Sequence, residues 1–506
     1  MLKKTLAVFL AASVSFFSGC GSEAEVHETS SDITLSVPEQ ANNKITEIRL
    51  SDSNITVDGE AVSNDRSADV YAANDIIYYE SGQDSSYGEG TEADAHTAEE
   101  ANAHTVVHIT SPGKYILSGS LSKGQIFVDL GDNAKNDVSA VVTLVLDGVD
   151  ITCTVAPAVF FYNVYECGSK DEANASAVVD TSAAGANVII ANDSINTVNG
   201  AYVARIYEPG TTDKLHKYDG AFYSKCSMNI DDEGNGTGVL HINGTNEGLD
   251  SEMHLTVNGG NITITSQNDG INTNEDNISV TTINGGALTI NAGLGDEGDG
   301  IDSNGFLVIN GGAILTSSCD KAPDGGIDTD RDIIINGGIV MACGNQNGIV
   351  SSNSEQAFMQ VSFKNTIPAG ATVKISNGDT GIAEFTTIKS CSALVLSSPA
   401  FADGMLYTIT VNDVTEEYSV VSEFGPSMGA QGIMQPPEGG FEHREMQGDR
   451  FSEFPKVPDG LDEWMNETEM PDDIREWIES MKEMSLGFEG RDGGMRPREN
   501  MHMPNA

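Results

Sequence analysis

The tetrapeptide Val257-Asn258-Gly259-Gly260 decides the fold, because the chain repeats it as Ile283-Asn284-Gly285-Gly286, Ile309-Asn310-Gly311-Gly312 and Ile335-Asn336-Gly337-Gly338. The asparagines stand 26 residues apart three times over, and a shortened copy, Ile242-Asn243-Gly244, lies upstream. Each full copy leads into a short apolar run: Ile262-Thr263-Ile264, Leu288-Thr289-Ile290, Ile314-Leu315 and Ile339-Val340-Met341. A unit of this length holds three short strands and three turns with nothing helical between them. One such unit cannot bury its own apolar side chains, but stacked copies can. Parallel stacking sets equivalent residues about 4.8 Å apart, so each repeated side chain becomes a column. Asn tolerates the left-handed backbone of a turn, and its amide can hydrogen-bond along the stack. The paired glycines add positive-φ freedom. A propeller blade needs a longer repeat, and the Leu/Asn frame of a leucine-rich repeat is absent. The spacing therefore predicts an all-β parallel β-helix, a solenoid with one continuous core.

A second series runs through the same units. Glu247-Gly248-Leu249-Asp250 is followed by Asp269-Gly270-Ile271-Asn272, Asp299-Gly300-Ile301-Asp302 and Asp324-Gly325-Gly326-Ile327-Asp328, and it ends at Asn347-Gly348-Ile349-Val350. Polar residues continue at alternate positions, as in Asn272/Asn274/Asp276 and Asp328/Asp330/Asp332. Period-two spacing puts them on one face of an extended segment, here the outer face. Two carboxylates about 5 Å apart repel by roughly 3 kcal/mol at an effective dielectric near 20. Either their pKa values rise or a cation intervenes. Ca²⁺, which takes oxygen ligands in flexible geometry, is the expected ion, and Asp250, Asp269, Asn272, Asp299, Asp302, Asp324, Asp328 and Asp330 are the candidate ligands. The plainer alternative is that these are turn residues splayed into water. Neither an EF-hand nor a Gly-Gly-x-Gly-x-Asp repeat is present.

Outward from the repeats, the chain divides by composition. Lys3 and Lys4 precede a short apolar stretch, Thr5 to Phe17, that ends in Phe17-Ser18-Gly19-Cys20. This resembles a bacterial lipobox, which implies a signal peptide over residues 1–19, a lipid on Cys20, and a chain held at the outer face of the cell membrane. Residues 20–45 read as a flexible spacer and 46–355 as the β-helix, with a polar surface insertion over 81–104. Residues 356–424 carry further strand signals, including Tyr418 to Val421, and are expected to cap the coil or form a small β module. Residues 425–506 are rich in Met, Pro, Gly and Glu and are expected to be mostly disordered, with a helix around Pro471–Met484. The six cysteines beyond Cys20 (Cys153, Cys167, Cys226, Cys319, Cys343 and Cys391) form no CxxC pair, so both disulfides and buried thiols stay open. A zinc site is not expected. The 76 acidic residues against 26 basic ones, a net charge of -50, argue against nucleic acid as a partner.

Four stretches bring in a family: Gly113-Lys114-Tyr115-Ile116-Leu117-Ser118-Gly119; Leu144-Val145-Leu146-Asp147-Gly148-Val149-Asp150-Ile151; Asp219-Gly220-Ala221-Phe222-Tyr223-Ser224-Lys225; and the repeated Asp-Gly-Ile and Asn-Gly-Gly units. Over roughly residues 105–420 the chain resembles bacterial surface carbohydrate-binding domains with a right-handed parallel β-helix similar to pectate lyases. The resemblance implies non-catalytic binding of plant-wall glycans, of the cellulose or polygalacturonate class, by a monomer with bound Ca²⁺. Two other classes compete. One is a structural surface or adhesion protein. The other is a polysaccharide lyase, for which Lys225, Lys321 or Arg331 would be the candidate base. Both Trp464 and Trp477 lie in the tail, so any aromatic contact with sugar on the coil falls to Tyr or Phe.

Overall fold

The structure is a computed structural model that describes residues 45–80, 88–89, 93–206, 217–378, 380–402, 405–412 and 414–416. The signal peptide and Cys20, the spacer before residue 45, the Tyr418–Val421 strand, the acidic tail and its Pro471–Met484 helix lie outside the described residues.

Among the described residues the regular structure is almost entirely β. Each repeat unit contributes three strands, and in the unit that opens at Leu255 they are Leu255–Val257, Asn261–Ser266 and Ile271–Thr273. Each pairs in parallel with its equivalent in the next unit, with Leu255 opposite Thr281, Asn261 opposite Ala287 and Ile271 opposite Ile301. The first two columns belong to a nineteen-stranded sheet and the third to a nine-stranded sheet. The apolar positions of all three point inward. Leu249, Ile271, Ile301 and Ile327 meet Ile264, Ile290, Leu255 and Ile283 in one core, each fully buried. Burying an aliphatic side chain of this size is worth about 2 kcal/mol.

The repeated tetrapeptide does two separate jobs. The asparagines form a ladder: Asn284 donates its Nδ2 to Asn258 Oδ1, Asn310 to Asn284, and Asn336 to Asn310, each at 2.9 Å. The left-handed backbone falls on the second glycine rather than on the asparagine, with φ of 94° at Gly260, 87° at Gly286 and Gly312, and 85° at Gly338. The first glycine is needed for close approach, since a Cβ on Gly311 would sit 2.4 Å from the Asn284 carbonyl oxygen.

The polar stretch 93–104 contains a helix, α1 (Ala98–Asn102), started by a capping box. Thr97 Oγ1 accepts from the Glu100 N–H, and Glu100 accepts from the Thr97 N–H. His104 closes it, buried at 1% exposure, with its Nε2 accepting the Thr154 N–H at 3.2 Å. At the other end, Cys391–Ser397 pairs antiparallel with both Ile339–Gly344 and Phe358–Ile367. The edge of the last parallel strand is thereby covered. A four-stranded antiparallel sheet, which includes Thr372–Asn377, Thr380–Thr386 and Thr408–Val411, packs Val373, Ile375, Phe385 and Ile409 into a second core shared with Leu315, Met341 and Leu394 of the nineteen-stranded sheet. All six cysteines are free thiols.

The nine-stranded sheet carries the site. Its strands are β1 (Val70–Ala73), β2 (Thr105–Ile109), β3 (Gly124–Asp129), β4 (Val159–Asn163), β5 (Gly220–Ser224), β6 (Glu247–Ser251), β7 (Ile271–Thr273), β8 (Ile301–Ser303) and β9 (Ile327–Thr329). They pair in that order.

Candidate functional site

Because side chains alternate along each strand, the residues next to the core column face away from it. In register order these are Tyr71, His108, Phe127, Phe160, Tyr223, Asp250 and Asn272, followed by Asp302 and Asp328. The column changes character halfway: β1–β5 contribute rings and β6–β9 contribute carboxylates and an amide. The ring half is closely packed. Tyr71 stacks on His108 at 4.3 Å between centroids, and Phe127, Phe160 and Tyr223 follow in edge-to-face steps of 5.3 and 5.2 Å. These aromatics form a secondary core rather than an open platform, since Phe160 is 1% exposed and Tyr223 and Tyr218 are fully buried. The two halves meet where Tyr223 Oη donates to Glu252.

A second column runs where the strands begin and consists of Asp219, Asp269, Asp299 and Asp324 just before them and Glu247 at the first position of β6. Three of its members accept backbone N–H groups. Asp269 Oδ1 takes the Asp299 N–H at 2.6 Å, Asp299 Oδ1 takes Gly325 at 2.5 Å, and Asp324 Oδ2 takes Gly298 at 2.6 Å. These contacts tie each turn to the next.

Glu247, Asp250 and Asn272 differ from the rest. Asn272 Nδ2 donates to Glu247 Oε1 at 3.3 Å, and Asn274 Nδ2 donates to Asp250 Oδ1 at 2.9 Å. The other oxygens, Glu247 Oε2, Asp250 Oδ2 and Asn272 Oδ1, are buried with no hydrogen-bond donor. Burial pushes both carboxyls well above the usual range, and the nearby Asp219 charge adds to the shift. Leaving such groups unpaired is costly, by about 1–3 kcal/mol each for neutral groups and more for charged ones.

The remaining candidates are arranged less tightly. Burial raises Asp269 to about 7 and Asp299 and Asp302 to about 8, and it raises Asp328 as well. Asp302 and Asp328 lie opposite each other in register. Asp330 is exposed at the end of the series. Among the described residues no group of three or more His, Cys, Asp or Glu side chains is placed to hold a metal ion by itself. The buried cluster supplies two carboxylates and an amide, so an ion there would need further oxygens from water or from a ligand. That donor set is all oxygen, which suits a hard cation such as Ca²⁺.

Glu247 and Asp219 were not among the candidate ligands. Glu247 opens the first Glu/Asp-Gly motif, and Asp219-Gly220 is the same pair one coil earlier, so the pattern could have found both. The reach of Asn274 back to Asp250 had no such signal.

These features define a β-rich protein with stacked parallel strands and a buried oxygen cluster on its outward face. A family described as "Carbohydrate-binding domain-containing protein" matches residues 103–398, and the chain belongs to that family. A relative from Acetivibrio thermocellus, also described as a carbohydrate-binding domain-containing protein, is 30% identical over 158 residues. That match covers 31% of this chain and 44% of the relative, so the chain spans less than half of the relative's length. A solved structure titled a polysaccharide lyase-like protein from C. thermocellum, in a gadolinium derivative, is 19% identical. It covers 61% of this chain and 90% of its own, with a TM-score of 0.35.

Proposed function

We propose that this protein binds a plant-type polysaccharide, of the cellulose or polygalacturonate class, on the outward face of a right-handed parallel β-helix, with Ca²⁺ assisting. It would be displayed at the cell surface through a lipid on Cys20 and would act as a binder rather than a catalyst. The observation that carries the reading is the trio of donorless buried oxygens on Glu247, Asp250 and Asn272. Glu247, Asp250 and Asn272 would hold the ion, which accepts roughly six to eight oxygens and so leaves positions for sugar hydroxyls or carboxylates. The family supports carbohydrate as the ligand.

Thermal unfolding of the full chain tests this in EDTA, in millimolar Ca²⁺, and in Ca²⁺ with polygalacturonate or soluble cellulose oligomers. A ligand present at a hundredfold excess over Kd stabilises the fold by about 2.7 kcal/mol. The reading expects a rise in midpoint with Ca²⁺ and a further rise with one of the glycans. No response to Ca²⁺ would leave the buried cluster without a cation, and no response to either glycan would leave the ligand open.

A further inference from the structure

In a chain with 76 acidic and 26 basic residues, two lysines beside the acidic column form no ion pair among the described residues. Lys135 and Lys225 are neighbours, with Lys135 Nζ donating to the Lys225 carbonyl at 3.5 Å. The Lys225 ammonium lies over the Tyr162 ring, 4.1 Å from its centroid, and 5.8 Å from that of Tyr218. The lysine ion pairs among the described residues involve Lys170, Lys217, Lys321 and Lys374 instead. The acids nearest Lys225 are already engaged. Asp129 Oδ1 accepts from the Gly131 N–H and Asn163 Nδ2, both at 2.9 Å, and Glu252 accepts from Tyr223 Oη.

The position of the pair gives it meaning. Ser224 lies opposite Ser251 in register, so Lys225 follows β5 just as Glu252 follows β6, two residues beyond Asp250 and one strand over. Adjacent strands are about 4.8 Å apart. A sugar chain lying on the oxygen cluster would therefore pass within a residue or so of the lysines. Aromatic faces hold a desolvated ammonium but leave its anion-binding capacity unused.

We propose that Lys135 and Lys225 form an anion subsite that directly takes the carboxylate or sulfate of an acidic sugar, with no bridging cation. This rests on the polysaccharide-binding reading above. Burial and the charge of Lys135 hold the Lys225 pKa down, and a bound anion would relieve both effects. Asp129 and Asn163, already hydrogen-bonded to each other, line the same corner and would meet sugar hydroxyls.

The test measures binding of the full chain to polygalacturonate, dextran sulfate and neutral cellulose oligomers, each in EDTA and in Ca²⁺. Its variants are Lys225→Met, which keeps the stem on Tyr162, Lys135→Met, and the rescue Lys225→Arg, with midpoints recorded as a check on folding. The expected result is an about tenfold loss of acidic-glycan binding in EDTA for either Met variant. Lys225→Arg should bind nearly as the parent does, and neutral-glycan binding should stay within about twofold throughout. Comparing polygalacturonate with dextran sulfate tells whether the anion is carboxylate or sulfate, and loss of either supports the subsite. Unchanged acidic-glycan binding in Lys135→Met and Lys225→Met overturns it. If the parent binds only the neutral oligomers, the subsite alone falls. If it binds no glycan at all, the polysaccharide reading falls first.

Discussion

Replacing Asp250 by Asn tests the physics of the buried cluster most directly. Asp250 is fully buried, one of its oxygens has no donor, and its carboxyl is held well above its ordinary 3.8. Without a cation, burial makes the folded protein favour a proton there that the unfolded chain releases at pH 7. Each unit of upward shift costs about 1.4 kcal/mol once the pH exceeds the folded pKa, and the idealised cost of burying the charge unpaired is on the order of 20 kcal/mol. Water entry and relaxation would reduce this to about 2–4 kcal/mol. The sign follows from the raised pKa: this stability is fully present below about pH 4 and drains away as pH rises towards the folded value. Asn mimics the protonated acid, and its Oδ1 can still accept from Asn274. Asp250→Asn is therefore expected to stabilise the protein in EDTA at pH 7.5 by about 2–4 kcal/mol, to gain nothing at pH 4, and to lose most of the Ca²⁺ response. Urea unfolding of parent and variant at both pH values, with and without Ca²⁺, reads all three. A destabilised variant at pH 7.5 in EDTA, or a parent equally stable at both pH values, would refute the reasoning.

Two further outcomes come from the repeat itself. Asn310→Ala removes one rung from the middle of the amide ladder, where Asn310 donates to Asn284 and accepts from Asn336. It should cost about 1–2 kcal/mol in urea unfolding, and Asn258→Ala at the end of the same ladder should cost about half as much. Gly338→Ala places a Cβ 2.8 Å from Gly311 backbone atoms at φ +85°, whereas Gly59→Ala, at φ +84°, meets nothing within 4 Å. The second should cost about 1 kcal/mol for left-handed strain alone and the first at least about 3 kcal/mol, a difference that thermal midpoints would resolve.

How far the fold could be read in advance varied along the chain. Four tetrapeptides at one spacing, alike but for Val257 in place of Ile, dictate register, because stacking them in any other way would break the amide ladder and bury no continuous apolar column. The ring half of the outward column had no comparable signal. Phe127, Phe160 and Tyr223 share no motif, and the coils that carry them vary in length, so their stacking emerges only when the strands are paired. Helix α1 sat in a stretch read as an insertion, although Thr97 and Glu100 are three residues apart, as a capping box requires. The outward direction of Asp250 was legible from period two. Its burial was not, since that depends on what the neighbouring coils pack against it, Asn274 among them.

The same ambiguity explains why eight chemically similar candidates divide into two kinds. Asp269, Asp299 and Asp324 resemble Glu247 in the sequence, each standing before a glycine. In the fold each of these three spends an oxygen on a backbone N–H of a neighbouring turn, which is a structural use that any good acceptor can fill. The coil between Asp269 and Asp299 is longer, and Lys321 Nζ reaches into it to meet the Gly295 carbonyl at 2.6 Å. The buried oxygens of Glu247, Asp250 and Asn272 that lack a donor lie at the upstream end, against the aromatic half of the column and next to Lys225. Asp299→Asn tests this division. Its Oδ1 would still accept from Gly325, and loss of a carboxyl raised to about 8 removes a penalty rather than a contact. The variant should be as stable as the parent or more so at pH 7.5, and should keep its full Ca²⁺ response. A Ca²⁺ midpoint shift abolished by Asp299→Asn but retained in Asp250→Asn would move the ion down the column and overturn the assignment to Glu247, Asp250 and Asn272.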